Sequence, residues 1–552
     1  QKLQQSIDNL ITCNIESTKY DKYLKGNFLN SLFLQPVTNA DIINVVLNFD
    51  ENKSPGYDEI HPKVLKNSIY MIVTPLCNIL NFSFEQGIFP DALKIAKVIP
   101  VFKKGNKSLL NNYRPISVLS VFSKIFEKIL CDQLTRFISK NNILYENQFA
   151  FRKGYSTCHA LLDFIDKVAN AFELNEFLIG VFLDLSKAFD CIDHNILINK
   201  LCFYGIRGIP LLLIKNYLSN RKQYVSFGNY YSDHSTILTG VPQGSNLGPL
   251  LFLLYINDLP SVSNILSSIL FADDTTLFLS GKDPVEINNL LNSEIVKIHK
   301  WFLANKLLIN FEKTNYVIFK TRNKYVNEAA IKICINSKEI KQVHQVTFLG
   351  VIIDENLTWK DHIYYISNKL SKVIGVLNRL KDILPLRILV QLYNSMILPY
   401  FNYCIIVWGN CASYLLQKLF LLQKRAVRVV TNSYYRAHTG TLFFKLKFLK
   451  LYDLYDISIG AFMFSYMYNI TTLPDCFNNY FIFNRDINQY STRNSNKLYV
   501  PSFRYNLSRT VIKYKGSIIW NNLPDSLKAC PTLSSFKRIF KHKQISSYNI
   551  LF

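Results

Sequence analysis

Three aspartates lie where the surrounding residues otherwise call for burial. Phe271-Ala272-Asp273-Asp274 interrupts an apolar, strand-like run from Ser268 to Leu279, and Asp184 ends a second such run, Gly180-Val-Phe-Leu-Asp184. Buried charge is costly unless it is paired or bound to metal. Taken singly, each Asp is a turn residue. They can meet only if their strands are neighbours, with Asp273-Asp274 at a hairpin tip beside the C-terminal end of the Asp184 strand. At about 4 Å and an effective dielectric of about 20, each like-charge pair then costs roughly 4 kcal/mol. Divalent metal relieves that repulsion. Two ions about 3.5–4 Å apart activate an attacking hydroxyl and stabilise the leaving oxygen of an in-line displacement. Hard oxygen ligands select Mg²⁺, with Mn²⁺ as a substitute. The pattern therefore points to metal-dependent phosphoryl transfer.

Such a centre needs a sheet, and the apolar periodicity supplies one. It predicts strands at Ala96–Phe102, Phe177–Leu185, both sides of Asp273 and Asn315–Lys320. Helices are expected around Pro62–Gly87 and over Val121–Lys140, Ile196–Tyr204, Leu211–Ser219, Leu247–Leu259 and Pro284–Lys306, with mostly helix from Trp359 to about Val430. The rest mixes helix signals with Asn- and Ser-rich loops. This order predicts an α+β catalytic module followed by a mostly helical C-terminal region.

The 552 residues are too many for one simple core, and 49% of them are hydrophobic, so the chain is globular with several domains. A net charge of +24 favours a polyanionic partner, nucleic acid before anionic lipid. An Asn-, Lys-, Ile-, Phe- and Tyr-rich composition, matching AT-rich codons, also inflates that charge. The 11 cysteines include no Cys-x-x-Cys pair, which argues against a zinc ribbon and a disulfide scaffold and for reduced intracellular thiols. The uncharged stretch Ile388–Trp408 contains Gln391, Asn394, Pro399 and Asn402 and reads as a buried helix pair, not a membrane span. The start at Gln1, without Met, reads as a fragment.

The blocks around the aspartates resemble, in kind and in order, a reverse transcriptase of the non-LTR (LINE-type) retrotransposons, nearest the jockey-like group. The strings that carry the resemblance are Lys53-Ser-Pro-Gly, Val98-Ile-Pro-Val-Phe-Lys103-Lys104-Gly105, Asn112-Tyr-Arg114-Pro115, Gln148-Phe-Ala-Phe-Arg152, Asp184-Leu-Ser-Lys-Ala-Phe189 and Thr239-Gly-Val-Pro-Gln243-Gly244-Ser245, then the Asp273 hairpin, Leu308-Ile-Asn310-Phe-Glu-Lys313 and Phe348-Leu349-Gly350. The family implies a right-hand polymerase with fingers, a palm with an antiparallel sheet, and a helical thumb. On that pattern 1–45 is a lead-in, 46–355 fingers and palm, 356–430 the thumb and 431–552 a region of unknown role. Tyr490–Phe503 and Ile519–Pro524 resemble the family's tail.

The resemblance also implies roles. Asp184, Asp273 and Asp274 hold the metal, with Asp274 supporting. Lys103 and Arg114 clamp the triphosphate, where fixed cations and bidentate Arg suit the ligand; a solvated hairpin tip explains Lys103 equally. Phe189 gates against the 2′-hydroxyl, against an ordinary core role. Gln243 and Gly244 face the nucleotide, and Gly244 permits close backbone approach. Lys313 protonates the departing pyrophosphate or is a surface lysine. Arg152 touches template or nucleotide, and Phe348, Leu349 and Gly350 form the primer grip. Ser156 is expected to cap a helix, Asp190 and Asp193 to serve turns or caps, and His362 to sit on a helix surface.

The implied activity is RNA-directed DNA synthesis with an RNA template of the element, a DNA primer or target and dNTPs, in nucleus and cytoplasm and away from membranes. The Lys53 block and the Trp520 tail argue against telomerase and group II intron maturases. The competing classes are a catalytically inactive remnant that only binds nucleic acid and a purely structural basic protein. Residues 1–45 are too few for the endonuclease such proteins usually carry, so this chain alone is not expected to nick DNA.

Overall fold

The computed structural model describes residues 19–470, 473–487 and 494–548. Residues 1–18 of the expected lead-in, and residues 490–493 of the tail block, lie outside the described residues.

Helices α1 (Asn39–Leu47) and α2 (Pro62–Gln86) precede a hairpin of β1 (Ile95–Phe102) and β2 (Tyr113–Leu119). Next come α3 (Val121–Lys140), α4 (Thr157–Glu173) and the central strand β3 (Phe177–Leu183). Two helices, α5 (His194–Phe203) and α6 (Ile209–Leu218), lead to β4 (Lys222–Phe227), which pairs parallel to β1. After α7 (Leu247–Ile256), strands β5 (Ser267–Phe271) and β6 (Asp274–Gly281) form the carboxylate hairpin. Then follow α8 (Pro284–Ala304), β7 (Asn315–Phe319), β8 (Lys341–Gln342) and a hairpin of β9 (Gln345–Phe348) and β10 (Val351–Asp354). The remainder is helical, led by α9 (Lys360–Leu380), α10 (Ser413–Val430), α11 (Leu451–Met467) and α12 (Leu533–Ser547).

The palm-like sheet has the order β8-β7-β3-β6-β5 and is antiparallel except at β8. Its centre, β3, is Phe-Leu-Ile-Gly-Val-Phe-Leu with every residue buried. Side chains alternate faces along a strand. Phe177, Ile179, Val181 and Leu183 enter a core with α3, α5, α7 and α8. Leu178 and Phe182 enter a second core with α4 and the helices after Val346. One uninterrupted apolar strand is therefore covered on both sides, as its composition requires.

Strands β2 and β4 were not expected. β2 contains Pro115, which argues against a central strand; it pairs with β1 alone and so forms a sheet edge, where proline is tolerated. The uncharged stretch folds as three short helices, Leu386–Met396, Leu398–Asn402 and Ile405–Trp408, not a pair. No helix among the described residues is long and apolar enough to cross a membrane. His362 corrects its expected surface position: it is 2% exposed, its Nδ1 accepts the Ile352 N–H, its ring meets Trp408, and burial pushes it down to about 4. The packing of Trp408 over α9 turned an exposed-looking position inward.

Candidate active site

The register Leu183 opposite Thr275 carries Asp184, one residue past β3, to the level of Asp274. Phe271 pairs with Asp274, so Ala272 and Asp273 form a two-residue turn, with Ala272 at φ +55°. Asp184 is fixed through its backbone: its carbonyl accepts the Asn310 N–H at 2.8 Å and its N–H donates to Thr314 Oγ1 at 3.4 Å. Lys313, from the same segment, donates to Asp184 Oδ2 at 3.2 Å. Asn310, through its backbone N–H, and Thr314, through its hydroxyl, are positioning groups that sequence reasoning missed.

The two hairpin carboxylates, Asp273 and Asp274, are held against ionisation. Burial, then the Asp184 charge, raises Asp273, opposed by Arg114 and Lys103. Burial, then Asp273 and Asp184, pushes Asp274 up to about 6, opposed by Lys103. A folded-state acid raised above its ordinary value binds protons that the unfolded chain does not, so its destabilisation sets in as pH rises from about 4 to 6. In EDTA, Asp274→Asn is expected to melt with wild type at pH 4 and about 2 °C above it at pH 7, and excess Mg²⁺ to erase the gap by stabilising wild type alone. Thermal melts across pH check this; a gap that shrinks as pH rises sinks it.

The donor set fits Mg²⁺. All three groups are hard carboxylates. Among the described residues no three acidic, His or Cys side chains close into a ready-made cage. Mg²⁺ does not need one, since it is held by one or two carboxylates together with substrate phosphates and water.

The cations arrive on the β1–β2 hairpin. Arg114 lies opposite Val101, and Lys103 follows two residues on, with its N–H bonded to the Asn112 carbonyl at 2.8 Å. Cross-strand partners and i, i+2 neighbours share a face, so both exposed cations stand on one side, and their field reaches the aspartates.

The 239–246 loop ties the two sheets together. Gly240 and Val241 donate backbone N–H groups to Ile192 and Phe189 carbonyls at 2.8 and 2.9 Å, and Gln243 Nε2 donates to Asp190 Oδ1 at 2.9 Å. On the other side, Ser117 N–H donates to the Gln243 carbonyl at 2.8 Å, along the open edge of β2. Gly244 has φ +125°, and a Cβ there would lie 2.6 Å from the Ser117 carbonyl oxygen. The close approach expected of Gly244 is thus an approach to β2. Asn246 N–H donates to Oε2 of the fully buried Glu127 on α3 at 2.7 Å; burial raises Glu127, with Arg221 opposing. Asp190 does more than make a turn, and Glu127 was missed altogether, although an acid between Phe126 and Ile129 on an apolar helix face was the available sign.

Half-buried Phe189 stacks on Phe252 with ring centres 4.6 Å apart. Ser156 and Asp193 cap α4 and α5 as expected. Arg152 is tied to nearby backbone. Its guanidinium donates to the carbonyls of Tyr145, Glu146 and Gln148 and stacks on Tyr155 at 3.9 Å. Phe348 is buried between Phe164 and Phe182, so its side chain anchors the β9–β10 hairpin and leaves only the tip to touch a ligand. At that tip Leu349 and Gly350 both have positive φ, and the Leu349 carbonyl accepts the Tyr403 hydroxyl at 2.7 Å.

Residues 101–353, which hold the two acidic turns, the facing cations and the bridging Pro-Gln-Gly loop, match the family model described as reverse transcriptase (RNA-dependent DNA polymerase). The chain is similar to the RNA-directed DNA polymerases of several mobile elements. It is 29% identical over 430 residues to the probable RNA-directed DNA polymerase from transposon BS of Drosophila melanogaster, covering 75% of this chain and 46% of that one. The polymerase from mobile element jockey of the same species is 28% identical over 447 residues, 78% and 48% of the two chains, and that of Drosophila funebris 27% identical over 446, 78% and 48%. The chain spans about half the length of these curated relatives.

Proposed function

We propose that the chain is an RNA-directed DNA polymerase that transfers a deoxynucleotide to a primer 3′-hydroxyl on an RNA template of its element. The observation that carries this reading is the convergence of Asp184, Asp273 and Asp274 beneath Lys103 and Arg114. Mg²⁺ bound by Asp184 and Asp273 would activate the primer hydroxyl and neutralise charge on the phosphates. Arg114 and Lys103 orient the triphosphate and offset its charge. Gln243, oriented by Asp190, faces the nucleotide from the loop that joins fingers to palm. Lys313 donates a proton to the departing pyrophosphate, its ammonium already held at the carboxylate centre by Asp184. The β9–β10 tip supports the primer end through its backbone, and the thumb helices follow the duplex. The division into fingers and palm, thumb and C-terminal region stands with this reading, as does access to the nucleus, where target DNA lies.

Primer extension on an RNA template with Mg²⁺ and dNTPs tests it. Templated products are expected, together with RNA binding that weakens steeply with salt. Salt-sensitive binding without extension would instead support the inactive remnant. Phe189→Ala is expected to lower discrimination against ribonucleotides by about 10–100-fold with dNTP use retained, measured as the ratio of kcat/KM for dNTP and rNTP. Unchanged discrimination makes Phe189 part of the core only.

A further inference from the structure

The turn that bears Asp273 is held by a residue to which the sequence motifs gave no role. Gln148 is 1% exposed and lies alongside Leu270 in a parallel bridge. Two backbone bonds make that bridge, Phe149 N–H to the Leu270 carbonyl at 2.8 Å and Leu270 N–H to the Asn147 carbonyl at 3.0 Å, and any residue at 148 permits them. A third bond needs this side chain: Ala272 N–H donates to Gln148 Oε1 at 3.2 Å. Oε1 also accepts the Ala150 N–H at 3.0 Å, which fixes the amide's orientation.

Two features give that contact meaning. Ala272 is in the left-handed region, where a residue with a Cβ persists only if its surroundings over-determine it. Gln148 Nε2 is buried and has no partner among the described residues. Such an orphan donor is destabilising, so stability alone does not account for an amide here. We propose that Gln148 is a positioning residue for nucleotidyl transfer: Oε1 clamps the Ala272 N–H and so keeps Asp273 and Asp274 level with Asp184. This deepens the polymerase reading and rests on it.

The whole chain is compared as wild type, Gln148→Met, which lacks the acceptor, and Gln148→Glu, which keeps one. Hydrogen exchange over 270–276 reads the clamp; single-turnover extension at varied dNTP and Mg²⁺ reads its consequence. Gln148→Met is expected to speed exchange at Ala272 about tenfold or more and to lower kcat about 10–100-fold. It should raise the Mg²⁺ concentration for half-maximal rate and leave primer–template affinity and dNTP KM within about threefold. Gln148→Glu should restore the protection. Exchange in Gln148→Met equal to wild type overturns the clamp, whether or not wild type extends primers. A rate loss that appears only as raised KM or weakened duplex binding overturns the positioning role. Wild type that extends nothing defeats the polymerase reading instead, and exchange then decides the clamp by itself. If Gln148→Met does not fold, Gln148→Glu decides: faster exchange there, despite an acceptor in place, overturns the proposal.

Discussion

Asp273→Asn is expected to lower primer extension by about 10³-fold or more while leaving the fold at least as stable as wild type. The two effects have one cause. Asp273 is raised by burial and by Asp184, so its charge is unwelcome in the metal-free protein. An amide of the same shape removes that repulsion and keeps the turn, so melting in EDTA should be unchanged or higher. In the proposed reaction the lost oxyanion would be a ligand for the metal and a counter-charge at the reacting phosphate, worth several kcal/mol in the transition state, and about 4 kcal/mol corresponds to roughly 10³-fold in rate. Single-turnover extension at saturating primer–template measures it. A variant that keeps a tenth of the wild-type rate would remove Asp273 from the catalytic centre.

Gly244→Ala should damage the site through a single methyl. The new Cβ falls 2.6 Å from a backbone oxygen of β2, and φ +125° is itself unfavourable to alanine. Neither partner is a flexible side chain, so the loop must move. That movement breaks the Ser117–Gln243 backbone bond and, through Gln243, loosens the hold of Asp190. A local destabilisation of about 2–4 kcal/mol follows, with a rate loss of at least about tenfold and faster hydrogen exchange at Ser117. Gly375→Ala, in the open middle of α9 with no atom within 4 Å, is the control and should be neutral or slightly stabilising. Equal behaviour of the two variants would refute the close approach as the reason for the glycine.

The carboxylate hairpin, its neighbour strand and the long helices were legible because each is a local pattern: a period, a turn, a charge inside an apolar run. Val121–Lys140 was read to the residue, and the pairing of β3 with β6 followed from the need to bring Asp184 to Asp273. What was not legible came from distant segments. β4 is polar and short and is a strand only because β1 lies beside it. Gln148, Glu127, Asn310 and Thr314 act through hydrogen bonds to backbone far along the chain, so no spacing announces them. Arg152 and Phe348 show the converse: their motif positions suggested outward contacts, while their neighbours drew both side chains into the protein's own framework.

The two-sided cover of β3 ties the matched segment to the chain that follows it. The matched family segment stops at residue 353, yet α4 within it is roofed by later chain. His159 meets Phe462 and Phe477, the Tyr480 hydroxyl bonds Asp166, and Glu173 accepts the N–H groups of Arg504 and Tyr505. Ending the chain at the family boundary would uncover the face of α4 that carries His159, Asp166 and Glu173. The C-terminal helices therefore serve the matched domain as its missing half-core, and substitutions there are expected to disturb the carboxylate centre from a distance.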